Sequence, residues 1–149
     1  MPNRRAQVEA FFAAYARRSD DALKDPPLED IDGVVNSFAP YFVEAGPRGV
    51  HGGPNDETFR QMIPKGFGQY RAVGGKAMRI AQLEVTELDP LHAMAAVDWE
   101  FDYVRNSDGR AGTVDFRNLY FLSFAGGQPK IFAYITPDEE QVMKEHGLI

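Results

Sequence analysis

The sequence contains no cysteine among its 149 residues. This absence excludes disulfides, thiol nucleophiles and cysteine-based metal sites, and it fits a reducing compartment. Long apolar runs are also missing. The longest one, residues 10–16, is far shorter than the about 20 residues that a membrane-spanning helix needs. The N-terminus lacks the extended apolar segment of a secretory signal, so we expect a cytoplasmic protein without a membrane partner.

Positive charge is scarce: 16 Lys and Arg residues against 22 Asp and Glu give a net charge of −6 and a pI of about 5.0. Such a field repels a phosphate backbone, so we do not expect nucleic acid as a partner. The three histidines, His51, His92 and His146, are far apart and show no metal-ligand spacing. The sequence therefore predicts no metal ion and no cofactor.

The length suits one domain, residues 1–149. Apolar residues at Val8, Phe11, Phe12 and Tyr15 recur with the spacing of one helix face. A second helix is predicted after the Asp25-Pro26-Pro27 break, with Phe38 among its apolar positions. A third follows a cap at Asn55 or Asp56, and its internal Pro64 should kink or split it. Between these two helices, the segment FVEAGPRGVHGGP predicts a short irregular hairpin.

From residue 76 the pattern becomes that of strands, predicted at about 76–88, 91–105, 111–125 and 129–135. The Asp108-Gly109 and Gly126-Gly127 turns favour tight hairpins, since both tolerate positive φ. For the Asp89-Pro90 turn two loop lengths are open, and the longer one is preferred because it turns Leu83 and Val85 inward instead of two acidic or amide side chains. A capping box at Thr136 predicts a short C-terminal helix.

Closing the last two hairpins as two-residue turns places Trp99 opposite Asn118 and Leu122 opposite Ile131. Side chains alternate along a strand, so even-numbered residues from 114 to 124 should face the helices. The opposite face then carries an apolar patch, which we expect to form a homodimer. The alternative is that the C-terminal helix covers this patch through Val142 and Met143. The patch consists of Leu119, Phe121, Phe132 and Tyr134.

Three segments, VEAFFAAYARR, FAPYFVEAGPRG and PKIFAYITPDE, together with the order of elements, resemble the nuclear-transport-factor-2-like superfamily. This superfamily includes the SnoaL-like polyketide cyclases and the ketosteroid isomerases. The resemblance implies an α+β fold. In it a cone-shaped, strongly curved antiparallel sheet carries three N-terminal helices packed on its concave face, around a pocket. It also implies dimerisation through the sheet.

The resemblance further implies roles for individual residues. Tyr15 matches the helix-one tyrosine of the isomerase oxyanion hole, and Asn118 matches the late-strand acid. The family's basic carboxylate precedes a proline in the early hairpin, where this chain has Gly46. The nearest alternatives for a base are Glu44 and His51. An oxyanion hole of Tyr15 and Asn118 would polarise a carbonyl.

Three functions follow from these residues. The first is binding of a small, largely apolar molecule inside the cone, where a polar amide among aromatic rings would orient it. The second is a SnoaL-like cyclase, isomerase or dehydratase with Tyr15, Asn118, Glu44 and His51 as catalytic candidates. The third is a scaffold whose pocket is filled by its own side chains. The residues predicted to line the pocket are Phe12, Tyr15, Phe38, Phe59, Ile63, Trp99, Phe101, Phe116, Asn118 and Tyr120.

Overall fold

The computed structural model describes residues 3–149, which form one six-stranded sheet and four helices. The strand order is β2-β1-β6-β5-β4-β3, and the sheet is curved and not closed. The chain order of the elements is α1 (Arg4–Asp21), α2 (Ile31–Asn36), β1 (Phe38–Gly46), β2 (Gly49–Pro54), α3 (Glu57–Ala72), β3 (Gly75–Asp89), β4 (His92–Val104), β5 (Ala111–Ser123), β6 (Lys130–Ile135) and α4 (Glu139–Glu145). The predicted α+β class is confirmed.

Helix α1 begins where the Asn3 side chain accepts a hydrogen bond from the Ala6 amide, over 3.1 Å. This contact satisfies one of the free amides of the first turn. Val8 and Phe12 are fully buried against the inner face of the sheet. At about 1.5–3 kcal/mol for each large buried apolar side chain, this stripe holds α1 on the sheet.

The second predicted helix is shorter than expected. Asp30 accepts a hydrogen bond from the Gly33 amide and starts α2, which ends at Asn36. Phe38 lies in β1 instead, where it pairs with Ile131 of β6. This β1–β6 pair is parallel, whereas every other pair in the sheet is antiparallel. The tertiary pairing of Phe38 therefore overrides the helical spacing of the local sequence.

The predicted facing of β5 is confirmed. Val114, Asn118, Tyr120, Leu122 and Phe124 are buried on the inner face. The preferred inward facing of Leu83 and Val85 is also confirmed, since both pack on the same core. The predicted longer loop is not: Asp89 pairs with His92, which leaves two residues in the turn, and an irregularity between Glu87 and Asp89 supplies the extra residue that turns Leu83 and Val85 inward.

The register between β4 and β5 differs from the prediction by two residues. Trp99 pairs with Phe116 and Val97 with Asn118. The ladder ends at Val104 and Ala111, so the connecting loop has the six residues 105–110 and not two. A shift of two residues keeps every side chain on its predicted face.

A bulge in β6 removes Tyr134 from the predicted outer patch. Leu122 pairs with Ile131 as expected, but Phe121 then pairs with Ala133 and Tyr120 with Tyr134. The extra residue reverses the alternation after residue 132. Tyr134 therefore faces inward, stacked 6.2 Å from the Tyr120 ring, and does not belong to the outer patch.

The last two helices pack on the inner side of the sheet. Asp56 caps α3, which runs through Pro64 without being split. Met143 of α4 packs with Phe101 and Val114 on the inner side of the sheet. Helix α4 is therefore on the opposite side from the outer patch, and the alternative in which Val142 and Met143 cover that patch is wrong. None of the helices within residues 3–149 has the length and apolar character needed to cross a membrane.

Candidate functional site

An inner cavity of about 240 Å³ lies between the helices and the concave face of the sheet. This volume equals the share of roughly eight water molecules in the liquid, enough for a small organic molecule. Eight of its fifteen lining residues are aromatic. The lining consists of Tyr15, Ser19, Leu23, Phe38, Glu44, Phe67, Tyr70, Met78, Trp99, Phe116, Asn118, Tyr120, Tyr134, Thr136 and Glu139.

A more open groove of about 520 Å³ adjoins the inner cavity. It lies between α3 and the β1–β2 hairpin, and apolar side chains such as Phe42, Phe59 and Ile63 line it. The two spaces share six lining residues, so the groove forms the entrance side of the same site. The shared residues are Tyr15, Phe38, Glu44, Phe67, Tyr70 and Tyr134.

A buried hydrogen-bond network forms the floor of the inner cavity. The Tyr120 hydroxyl accepts from Trp99 Nε1 over 3.1 Å and from Asn118 Nδ2 over 3.0 Å. Asn118 Oδ1 has no hydrogen-bond partner within residues 3–149. Turning the amide by 180° places its nitrogen in the unpartnered position instead. In either orientation, one polar atom of this buried amide is left free.

Tyr15 lines both the inner cavity and the groove. Its ring lies 6.0 Å from that of Trp99 and 5.9 Å from that of Tyr120, measured between centroids. Burial raises its pKa well above the ordinary value of 10.0, and the nearby Tyr120 adds to this effect. The Tyr15 hydroxyl is therefore a neutral hydrogen-bond donor at physiological pH.

Two carboxylates face the cavity, and a tyrosine donates a hydrogen bond to each. The Tyr134 hydroxyl donates to Glu44 Oε2 over 2.9 Å, and the Tyr70 hydroxyl lies 3.2 Å from both oxygens of Glu139. Burial raises the pKa of the Glu139 carboxyl, the Tyr70 hydrogen bond lowers it in part, and the negative charge of Glu44 raises it further. A carboxyl with a raised pKa is suited to proton transfer near neutral pH.

Two of the residues predicted to line the pocket belong to the core instead. Phe12 is fully buried beneath Tyr15 and Tyr120, with its ring centroid 4.9 Å from that of Tyr120. Phe101 is also fully buried, on the side of Tyr70 that faces α4. Helix and strand periodicity identify an inward face, but they do not distinguish a side chain that lines a space from one that lies behind it. Tyr15, Phe38, Phe59, Ile63, Trp99, Phe116, Asn118 and Tyr120 do line the cavity or the groove.

The four catalytic candidates separate into two groups. Tyr15, Asn118 and Glu44 all line the inner cavity. His51 pairs with Glu44 across the β1–β2 hairpin and lines the groove, but it does not line the inner cavity. Of the two candidate bases, Glu44 therefore shares the cavity with Asn118, and His51 does not.

Sequence reasoning missed Tyr70, Tyr134 and Glu139. Tyr134 was assigned to the outer face because a bulge cannot be recognised from alternation alone. Glu139 was interpreted only as part of a helix-capping box, although Asp138 is the residue that caps α4. The available signal was an acidic helix start directly after an aromatic strand, ITPDEE. Within residues 3–149, no three histidine, aspartate or glutamate side chains are grouped as a metal site.

Comparison with known proteins shows the fold. No family model and no curated protein matches the sequence. Solved structures do match. One is an NTF2-like protein with a cystatin-like fold from Novosphingobium aromaticivorans, at a TM-score of 0.64 and 14% identity, covering 97% of this chain and 88% of that one. Another is a nuclear transport factor 2 (NTF2-like) superfamily protein from Salmonella enterica, at a TM-score of 0.62 and 16% identity, covering 90% and 91%.

A third match is a ketosteroid isomerase-like protein from Erwinia carotovora, at a TM-score of 0.58 and 18% identity, covering 89% of this chain and 91% of that one. At these identities the shared property is the fold. The resemblance expected from the sequence is therefore confirmed at that level, and the chemistry of the site has to be argued from its own residues.

Proposed function

Since the chain has the nuclear-transport-factor-2-like fold, we propose that its cavity binds one small, largely apolar molecule per subunit. The aromatic walls supply apolar area, and the adjoining groove gives access from the surface. A pocket of this kind, apolar with a few convergent polar groups, is the usual form of a small-molecule site.

Asn118 is the observation that carries this proposal. It is only 7% exposed, it lines the cavity, and one polar atom of its amide has no partner. Leaving a buried polar group unpaired costs about 1–3 kcal/mol, so native proteins rarely retain one without a reason. A ligand that hydrogen-bonds this amide would remove the cost.

Trp99, the only tryptophan, lines the cavity and reports on binding. We expect saturable changes in its fluorescence on titration with 2-naphthol. The variant Ser19→Leu places an apolar side chain into the cavity from α1 and should abolish the response. Ser19→Ala removes the same hydroxyl without filling space and should retain it. If both variants and the native protein respond alike, the molecule binds elsewhere and the proposal fails.

Native mass spectrometry of protein purified from its host gives an independent test. We expect a retained small molecule in the native protein and none in Ser19→Leu. A chain that carries no molecule and gives no saturable response to 2-naphthol would contradict binding and would favour the scaffold function.

We propose as a second function a SnoaL-like enzyme: a cyclase, isomerase or dehydratase. The observation in its favour is that Glu139, with its raised pKa, faces the same cavity as Tyr15 and Asn118. In this reaction Tyr15 and Asn118 polarise a carbonyl of the substrate, and the Glu139 carboxylate accepts the proton from the adjacent carbon. The proton then returns from the carboxyl group to the substrate.

Exchange of the α-protons of 2-tetralone in heavy water, followed by NMR, tests this chemistry. Glu139→Gln should reduce exchange by a factor of about 10²–10⁴, the usual contribution of a general base. Tyr15→Phe should reduce it less. Glu140→Gln is the matched control, because that neighbouring carboxylate pairs with Arg48 outside the inner cavity. Exchange that does not depend on Glu139 would exclude this mechanism.

We propose that the outer patch, now defined as Leu119, Phe121 and Phe132, forms a homodimer interface. The Phe121 and Phe132 rings lie 6.2 Å apart on the convex face, and α4 packs on the opposite face. Phe121→Glu should convert a dimer to a monomer in light scattering after size exclusion. Leu28→Glu introduces the same charge at a residue that is 61% exposed, and it should leave the mass unchanged. A monomeric native protein would contradict the interface.

A further inference from the structure

The inner cavity has acidic residues without basic partners. Glu44 and Glu139 line it, and none of its described lining residues is lysine, arginine or histidine. The guanidinium of Arg18 lies over the Tyr15 ring, 6.0 Å from its centroid, but it donates to Ser37 outside the lining. Among the described lining residues, Glu44 and Glu139 are therefore the only acidic groups, and the nearby basic residues Arg48, His51 and Lys144 lie beyond this lining, around an adjoining surface cleft that the two carboxylates also line.

Acidic residues elsewhere on the sheet are paired differently. On the outer face, Asp98 accepts from Arg117 over 2.7 Å and Asp102 accepts from Arg79 over 2.5 Å. In the cavity, the hydrogen-bond donors to the carboxylates are the Tyr134 and Tyr70 hydroxyls. Burial raises the pKa of both tyrosines, so these donors are neutral. The position that an arginine fills on the surface is open to a ligand inside the cone.

The cavity walls favour a particular kind of positive charge. Trp99 and Phe116 are stacked with centroids 6.5 Å apart, and Tyr120 and Tyr134 are stacked at 6.2 Å. Aromatic faces attract cations through the ring quadrupole, most strongly where water is excluded. Carboxylates and several aromatic side chains around one small space are the setting that binds an organic ammonium group.

We infer that the ligand of this cavity carries a positively charged nitrogen, as a protonated amine or quaternary ammonium group, on an otherwise apolar body. This inference rests on the proposed binding function and specifies its ligand class. The charged nitrogen occupies the inner cavity beside Glu139 and the aromatic faces, and the apolar body extends toward Phe42 and Phe59 in the groove.

The electrostatics of the site support this assignment. Burial and the charge of Glu44 both disfavour the ionised form of Glu139, which is why its pKa is raised. A cation within a few ångströms reverses that balance and stabilises the carboxylate. Binding of a cation should therefore release the proton held by Glu139 wherever the pH is close to its raised pKa.

A pair of isosteric probes tests the inference. Phenyltrimethylammonium and tert-butylbenzene have the same shape and differ in one positive charge. We expect the native protein to bind the cation at least about tenfold more tightly, measured by Trp99 fluorescence and by calorimetry. The calorimetric enthalpy of the cation should also vary with the ionisation enthalpy of the buffer, because a proton is released.

Variants identify the source of the preference. Glu139→Gln should reduce the tenfold preference to about threefold or less, with the larger loss of affinity for the cation. Glu44→Gln should act in the same direction but less strongly, because Glu44 is exposed at the mouth. Glu140→Gln should retain the full preference. Circular dichroism and melting curves check that each variant is folded.

The outcomes distinguish this inference from the proposed binding function on which it rests. Equal affinities in the native protein, or a preference that survives in both Glu139→Gln and Glu44→Gln, overturn the cationic ligand and leave apolar binding in place. Binding of neither probe overturns both. A preference that disappears only in the cavity variants supports the inference.

Discussion

The Tyr134 hydroxyl donates a hydrogen bond to the Glu44 carboxylate over 2.9 Å, and it joins the two strands that run parallel in this sheet. The two residues are register partners in β6 and β1. The contact depends on the bulge in β6, since Tyr134 would otherwise point to the convex face. It orients Glu44, the carboxylate at the mouth of the cavity.

Removing this hydrogen bond should destabilise the protein modestly. Tyr134→Phe is expected to lower the free energy of unfolding by about 0.5–1.5 kcal/mol, the usual net value of such a contact. For a chain of this length, each kcal/mol corresponds to about 2–4 °C in Tm. A double-mutant cycle with Glu44→Gln should give a measurable coupling energy in urea unfolding. Additive effects of the two changes would show that the residues do not interact.

The placement of Phe12 behind the cavity wall leads to a contrast with Phe67, which lines the cavity. Phe12→Ala should cost about 3–5 kcal/mol of stability, because the side chain is fully buried. Phe67→Ala should cost less, since its ring is only partly buried, and should chiefly alter ligand affinity. Urea unfolding and ligand titration of both variants measure these effects. The reverse order of the two stability losses would contradict the assignment.

Because one polar atom of Asn118 has no partner, replacing this residue should weaken ligand binding without lowering stability. Asn118→Leu removes the unpartnered amide atom, and the Tyr120 hydroxyl keeps its hydrogen bond from Trp99. We expect the free energy of unfolding to stay within about 1 kcal/mol of the native value. The affinity for 2-naphthol should fall about tenfold, and that for naphthalene, which has no hydroxyl, should not change. Equal losses for both compounds would mean that the amide does not contact the ligand.

Glu139 should make stability dependent on pH. Its carboxyl has a raised pKa in the folded protein compared with an ordinary value of 4.5, so between these two values the folded state binds more protons than the unfolded state. Stability from this residue is therefore present at low pH and is lost as the pH rises through the folded pKa. The groups that face it, Glu44 and Tyr70, remain in place in the variant.

Glu139→Gln should therefore be more stable than the native protein at pH 7–8, and the difference in Tm should shrink as the pH falls toward 4. Melting curves across this range give the measurement. For Glu140→Gln, the difference in Tm from the native protein should be nearly independent of pH. A Tm difference for Glu139→Gln that grows at low pH would have the wrong sign for a buried acid.

The face of the sheet on which each β5 side chain lies was predictable, because it depends on alternation alone. Period-two spacing in β5 is enough to place Asn118 and Tyr120 on the buried face. The pairing register was not predictable from the Asp108-Gly109 dipeptide. Asp108 instead binds the Arg105 side chain and closes a six-residue loop. A dipeptide favours a turn type, but side-chain contacts across the loop decide its length.

The chemistry of the site was only partly predictable, for the same kind of reason. Tyr15 and Asn118 were found because each is a polar side chain in an apolar row. Glu139 follows the last strand and belongs to the cavity only through the path of the chain after Ile135. The ITPDEE segment marks an acidic helix start after the strand, but it does not show that the chain turns back toward the cavity. The position of Phe38 in a strand that pairs in parallel with β6 was also not predictable, because it depends on contacts between residues distant in sequence.

The β6 bulge has a consequence for how related chains should be aligned. The additional residue between Ile131 and Ala133 decides which face of the sheet each later residue of β6 occupies. A one-residue deletion there would turn the Tyr134 side chain to the convex face and bring a neighbouring side chain to the concave face. The local composition would hardly change. In any chain with this fold, the spacing between the last glycine turn and this tyrosine therefore decides whether the phenol faces the concave or the convex side.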